Sequence, residues 1–156
     1  MGIEIERKFL VRDDAWKRGA SGLRYCQGYI SRGSGATVRV RTRAGQGFLT
    51  IKKHDGEITY MEYEYEIPHT EAQEMLAKIC VQPLIVKDRY RIVVEGFVWE
   101  VDEFMGENRG LVVAEIELEH PEQVFPLPGW IGPEVSGDPK YSNASLVSYP
   151  YSRWQE

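Results

Sequence analysis

The chain has 156 residues, 42% hydrophobic and 28% charged, which suits one globular domain spanning residues 1–156 with a proper core. Its formal net charge of −5 argues against general nucleic-acid binding, which shows as a basic excess. No apolar run approaches the roughly 20 residues of a membrane helix, and the chain opens on a charged strand instead of a leader pattern, so a cytoplasmic protein with no membrane span is expected.

The first element is an alternating strand over 3–11, Ile3-Glu4-Ile5-Glu6-Arg7-Lys8-Phe9-Leu10-Val11. Successive strand side chains point to opposite faces, so Glu4, Glu6 and Lys8 share one face while Ile3, Ile5, Phe9 and Val11 share the other. Such a row could hold a divalent cation on oxygen ligands beside an ammonium for an anionic substrate, or it could be an ordinary solvent face. Period-two alternation predicts further strands over 25–30, 37–43, 48–52 and 58–67. The capping-box pattern Thr70-Glu71-Ala72-Gln73, followed by Leu76, Ile79 and Cys80 on one face, predicts a short helix over 71–80. Strands return over 85–94, 97–102 and 112–119, making about eight in all. Turn signals between them, including Gly33-Ser34-Gly35, Ala44-Gly45-Gln46-Gly47, His54-Asp55-Gly56 and Glu95-Gly96, imply hairpins and an antiparallel sheet. Pro121 could open a helical turn, the proline-rich stretch 128–133 reads as irregular, and 143–149 reads as a last short helix before Pro150.

Several tempting residues have bland readings. Cys26 and Cys80 lack zinc-site spacing and read as small core residues. His54, His69 and His120 fall at turns or element ends and read as surface residues, while Trp16, Trp130 and Trp154 read as outer-shell packing. Ser148 and Ser152 have no legible His and Asp partners for nucleophilic catalysis.

Collecting charges in phase gives Glu4, Glu6 and Lys8; Arg39 and Arg41; Lys52; Glu62, Glu64 and Glu66; Lys87 and Arg89; Asp102; Glu115 and Glu117. The opposite face carries Val38, Val40, Leu49, Ile51, Tyr63, Tyr65, Tyr90, Ile92, Trp99, Val101, Ala114, Ile116 and Leu118, and needs an apolar cover. A half-exposed sheet accounts for simple alternation. It does not account for arginine-only and glutamate-only strands, in which adjacent like charges repel. Clustered carboxylates suit Mg²⁺ or Mn²⁺, and clustered guanidinium and ammonium groups suit phosphate oxygens. About eight antiparallel strands are enough to close a barrel around a small ligand, which leaves open whether the charged face turns inward.

The sequence resembles the CYTH superfamily, the triphosphate tunnel metalloenzymes. The likeness rests on Glu4-Ile5-Glu6-Arg7-Lys8-Phe9-Leu10, the Arg39/Arg41 pair, Thr50-Ile51-Lys52, the glutamates at 62–66, Lys87-Asp88-Arg89, Trp99-Glu100-Val101-Asp102, Glu115-Ile116-Glu117 and Asp138-Pro139-Lys140-Tyr141-Ser142-Asn143, in order. The resemblance implies a mainly β (α+β) fold, an eight-stranded antiparallel closed barrel with the charges inside and a few short helices outside. It implies phosphate binding by Lys8, Arg39, Arg41, Lys52, Lys87, Arg89 and Lys140. It further implies metal ligation by Glu4, Glu6, Glu62, Glu64, Asp102, Glu115 and Glu117, with Glu4, Glu6 and Lys8 catalytic. Two divalent ions, Mg²⁺ or Mn²⁺, would accompany a small-molecule triphosphate in a monomer or homodimer. The short chain is most similar to prokaryotic inorganic triphosphatases, with adenylate cyclase, thiamine triphosphatase and a non-catalytic polyphosphate sensor as alternatives.

Overall fold

A computed structural model of the chain describes residues 2–32 and 35–154. Nine strands form one antiparallel sheet: β1 (Gly2–Val11), β2 (Gly22–Ser31), β3 (Thr37–Arg43), β4 (Gln46–His54), β5 (Thr59–Ile67), β6 (Ile85–Val94), β7 (Phe97–Phe104), β8 (Val112–Leu118) and β9 (Ile131–Glu134). They run in the order β5-β4-β3-β2-β6-β7-β8-β1-β9, and β5 also pairs with β1, which closes the first eight into a barrel. Closure falls on the first half of β1: Gly2 to Ile5 face Glu62 to Thr59 of β5, while Ile5 to Leu10 face Leu118 to Val113 of β8. The backbone polar groups of the wall are thereby paired around the circle, which is how a barrel removes exposed strand edges.

Tight hairpins set the register. Ala44-Gly45 and Glu95-Gly96 join β3 to β4 and β6 to β7 with positive φ at both residues, 47° and 76° in the first and 48° and 83° in the second. That is the I′ geometry, whose twist matches the strands. Gly33 and Ser34 of the expected Gly33-Ser34-Gly35 turn lie outside the described residues.

Most apolar strand side chains point outward under two clusters, while a third cluster fills one end of the barrel from inside. Trp99 is fully buried and packs edge-on against Phe9 at 5.5 Å and Trp130 at 5.8 Å, with Val101, Ala114 and Ile116 around it. Helix α1 (His69–Lys78) lays Ala72 and Leu76 over Val40. Helix α2 (Asn143–Ser148), capped by the Ser142 hydroxyl on the Ser145 N–H, packs Leu146 and Val147 on the inward-row residues Ile85, Tyr29 and Val113 and so plugs one end of the barrel. The cover is incomplete: Ile3, Ile51, Met61, Tyr63 and Tyr65, on the outward rows of β1, β4 and β5, stay more than a third exposed.

Two local expectations change. Helix α1 starts at His69 instead of 71, with Pro68 at its N-cap and no side-chain cap. The Pro68 carbonyl accepts the Ala72 N–H at 3.0 Å, and proline's preset φ of −56° starts the helix before the Thr70 box can act. The stretch 128–133 is not wholly irregular, since Ile131–Glu134 forms β9 against the end of β1. Pro133 is tolerated there because an edge strand does not need every N–H.

Gly47 marks the tightest helix–sheet approach. A Cβ at that position would lie 2.6 Å from Ala72 Cβ and 3.2 Å from the Ile67 carbonyl oxygen, and neither can swing away. Gly47→Ala is expected to lower the melting temperature by about 5 °C, the consequence of overpacking by one methyl. A thermal melt within about 1 °C of wild type would contradict this close packing.

Candidate active site

The inward rows of the eight barrel strands line a cavity of about 490 Å³. Strand phase alone puts the charges there: Glu4, Glu6 and Lys8 from β1, Arg39, Arg41 and Arg43 from β3, Lys52 from β4, Glu62 and Glu64 from β5, Lys87 and Arg89 from β6, Glu100 from β7, and Glu115 and Glu117 from β8. Adding Arg32 and Lys53 at the rim, nine basic side chains face seven acidic ones among the described residues. The lining is therefore a positive vessel within a negative protein, which suits a polyanion.

The charges form a circuit around the wall. Lys52 Nζ lies 2.8 Å from Glu4 and 3.3 Å from Glu6. Lys8 lies 3.6 Å from Glu115, which lies 3.4 Å from Arg89. Arg89 is also clamped by Asp102, whose Oδ1 accepts from Nε at 2.7 Å and whose Oδ2 accepts from Nη2 at 2.8 Å. Lys87 donates to the same Oδ2 at 2.7 Å and to Asn143 Oδ1 of α2 at 3.1 Å. Across the cavity Glu64 Oε2 accepts from Thr50 at 3.0 Å and from Arg39 and Arg41 at 3.4 Å each.

Desolvation and neighbouring charge pull these groups apart. Burial raises Asp102, but Arg89 and Lys87 outweigh it and hold its carboxyl well below the usual carboxylate range. Burial likewise fails to raise Glu115, because Lys8 and Arg89 hold it down. Burial pulls Lys52 downward, yet Glu6, Glu4 and Glu115 keep it firmly charged. Lys87 goes the other way: burial and the nearby Arg89 outweigh Asp102 and bring it down to about 8. Arg41 is lowered to about 10 by burial and by repulsion from Arg39 and Arg89.

A third group of acids is short of positive charge. Burial raises Glu4, helped by Glu62; burial and Glu115 raise Glu6; burial, Glu4 and Glu100 raise Glu117. Glu6 and Glu117 stand directly opposite each other on β1 and β8, a placement that costs stability unless a cation intervenes. Glu62 Oε2 is buried without a hydrogen-bond partner, and Glu4 Oε1 has only the Lys52 ammonium at 2.8 Å. No three acidic, His or Cys side chains converge on one point among the described residues, because several of these carboxylates lean on lysines and arginines. Even so, an oxygen-only donor set with an unpartnered Glu62 oxygen and mutually repelling carboxylates fits a hard divalent cation.

Of the residues singled out in the sequence, Glu4, Glu6, Lys8, Arg39, Arg41, Lys52, Glu62, Glu64, Lys87, Arg89, Glu115 and Glu117 are brought together in the lining. Asp102 lies on the same inward row as Glu100 but is sealed beneath Lys87 and Arg89, 1% exposed, with both oxygens engaged. Lys140 lies outside the lining, its ammonium 4.4 Å from the Trp154 ring centroid and 5.5 Å from that of Tyr141.

Residues 2–145 match the CYTH domain. The chain belongs to the CYTH family. The triphosphate tunnel enzymes of that family are metal-dependent. This CYTH chain is 53% identical over 156 residues, the full length of both proteins, to an inorganic triphosphatase of Acetivibrio thermocellus. It is 34% identical over 149 residues to an inorganic triphosphatase of Nitrosomonas europaea, covering 92% of this chain and 96% of that one. A solved structure of an inorganic triphosphatase, 31% identical, overlays with a TM-score of 0.65 across 92% of this chain and 93% of that one.

The CYTH barrel also brings in residues that sequence reasoning passed over. Glu100 pairs with Arg89 at 3.3 Å, and its phase with Asp102 on β7 was enough to place it. Arg43 is likewise in phase with Arg39 and Arg41, and Thr50 with Lys52. Tyr25, Tyr29 and Tyr60 line the cavity as well. Tyr60 covers Lys52 Nζ at 4.2 Å and lies against the exposed His54, ring centroids 4.4 Å apart and planes tilted by 41°. The sequence marks these tyrosines only as aromatics without an assigned role, and the closed wall places them in the lining.

Proposed function

We propose that this CYTH protein is a metal-dependent hydrolase that cleaves the terminal phosphoanhydride of inorganic triphosphate to pyrophosphate and phosphate. The observation that carries the reading is the lining itself, a basic excess that shares one cavity with facing, mutually repelling carboxylates such as Glu6 and Glu117. The relatives at 53% and 34% identity, both inorganic triphosphatases, agree with it.

Lys8, Arg39, Arg41, Lys52, Lys87 and Arg89 bind the phosphate oxygens and stabilise charge on the transferring group. When bound, a divalent ion, Mg²⁺ or Mn²⁺ and up to two of them, supplies Lewis-acid neutralisation of the phosphate oxygens. Glu4, Glu6, Glu62, Glu115 and Glu117 would hold it, with Glu100 beside them. Glu64 keeps Arg39 and Arg41 satisfied until phosphate oxygens replace it. Water held by Glu4 and Glu6 attacks the terminal phosphorus in line, the bridging P–O bond breaks, and pyrophosphate leaves with the electron pair while the water proton passes to carboxylate or solvent. Asp102 positions Lys87 and Arg89 from behind. Lys140, outside the lining with its ammonium over Trp154, makes no phosphate contact in this reading.

No helix among the described residues is long and apolar enough to cross a membrane, and free Cys26 and Cys80 fit the reducing cytoplasm assigned here.

A phosphate-release panel tests the reading. Tripolyphosphate should exceed pyrophosphate, ATP and thiamine triphosphate by at least about tenfold in kcat/KM, and a chelator should stop release. Pyrophosphate turnover above that of tripolyphosphate would contradict a site built for three phosphates, and cyclic AMP from ATP would favour the cyclase instead.

A further inference from the structure

β2 is the barrel's uncharged inward strand between two basic ones. Its inward row is Tyr25, Gln27 and Tyr29, flanked by the arginines of β3 and by Lys87 and Arg89 of β6. Tyr25 stands opposite Arg43 on one side and Lys87 on the other. The Arg41 and Arg89 guanidinium carbons each lie 5.0 Å from its ring centroid, and that of Arg43 lies 6.0 Å away. The ring is 7% exposed and lines the cavity.

The two flanking arginines are held differently. Arg89 is anchored by both Asp102 oxygens and by Glu115. Arg41 has Glu64 at 3.4 Å and a buried Nε–H with no partner. It also suffers repulsion from Arg89 and Arg39, part of what lowers it to about 10. A π-face attracts a guanidinium without spending the N–H donors that lie around its edge, so those donors stay available for phosphate oxygens.

We infer that Tyr25 is a positioning residue: its ring, set between Arg41 of β3 and Arg89 of β6, holds the two guanidiniums apart and aimed inward as a paired clamp for the triphosphate group. This rests on the proposed triphosphatase reading and names what organises its basic wall. The ring touches no reacting atom. Its contribution is to substrate binding, because an unanchored Arg41 must be reordered each time phosphate arrives.

The test keeps shape and changes only the ring's quadrupole. Position 25 is replaced by Phe and then by mono-, tri- and pentafluorinated Phe, and tripolyphosphate turnover is measured with saturating Mg²⁺. Tyr25→Phe is expected to keep KM within about twofold, and the fluorinated series to raise KM stepwise to about tenfold, with kcat within about twofold throughout. A KM independent of fluorination overturns the inference, as does a loss confined to kcat. If Tyr25→Leu fails to fold, the isosteric series still decides. Calorimetric titration of metal-free protein with tripolyphosphate separates the two readings. A fluorine-dependent Kd in a chain that releases no phosphate keeps the clamp and overturns the hydrolase. A fluorine-independent Kd alongside robust turnover overturns the clamp and leaves the hydrolase.

Discussion

Glu4→Gln and Glu117→Gln are each expected to cut metal-dependent phosphate release from tripolyphosphate by about 100-fold or more while leaving the barrel folded. Gln keeps the shape of each side chain but removes the negative charge that a hard cation requires. The stability effect has the opposite sign. Burial, followed by neighbouring acids, raises both glutamates above their ordinary range, although Lys52 opposes the rise. Their ionised forms therefore oppose folding at pH 7, and the opposition fades as pH falls through the raised pKa. Gln removes it at every pH, so the melting temperature at pH 7 should stay level or rise in both variants, as at other sites built for function at the expense of stability. Wild-type turnover in either variant would remove it from the metal-holding set. Lost turnover accompanied by a large fall in melting temperature would make the effect structural.

Asp102→Ala should have the largest effect on stability. Asp102 is 1% exposed and holds the equally buried Lys87 and the partly buried Arg89 by three bonds of 2.7 to 2.8 Å. Removing one member of a buried ion group costs about 3–5 kcal/mol, because the remaining charges are left unpaired. At this chain length that is a fall in melting temperature of about 10 °C or more, read by calorimetry at pH 7. The sign follows from the depressed pKa of Asp102: its contribution is complete above the ordinary aspartate range and lost only as pH falls below it. Turnover should fall with stability, since Lys87 and Arg89 lose the partner that aims them. A melting temperature within about 2 °C of wild type would show that the pair is satisfied without Asp102.

The fate of Asp102 separates alternation from depth. Strand phase puts Asp102 and Glu100 on the same side of β7, and the sequence reading chose Asp102 as a ligand. In the fold Glu100 reaches the lining while Asp102 is sealed behind Lys87 and Arg89. Phase determines the face of a side chain, but its depth depends on which longer side chains lie over it. Lys140 shows the limit from another direction, because a C-terminal segment outside the barrel has no strand phase to aim it, and aromatic rings took up its ammonium.

The amino-acid sequence by itself determined the strands, the antiparallel hairpins and the sorting of charges onto one face, because period-two alternation and I′ turn residues are local properties of the chain. It also carried the motif order from which membership of the family was legible. Closure was decided only by the tertiary structure: β1 pairs with β5 across 59–62, a contact between distant segments that no local pattern encodes. The tertiary pairing of the strands turned Glu4, Glu6 and Lys8 inward, set Glu6 against Glu117, left Glu62 Oε2 without a partner, and brought Tyr25 between the arginines of two other strands. Alternation assigns each residue a face, and the three-dimensional pairing of strands determines which charges meet across it.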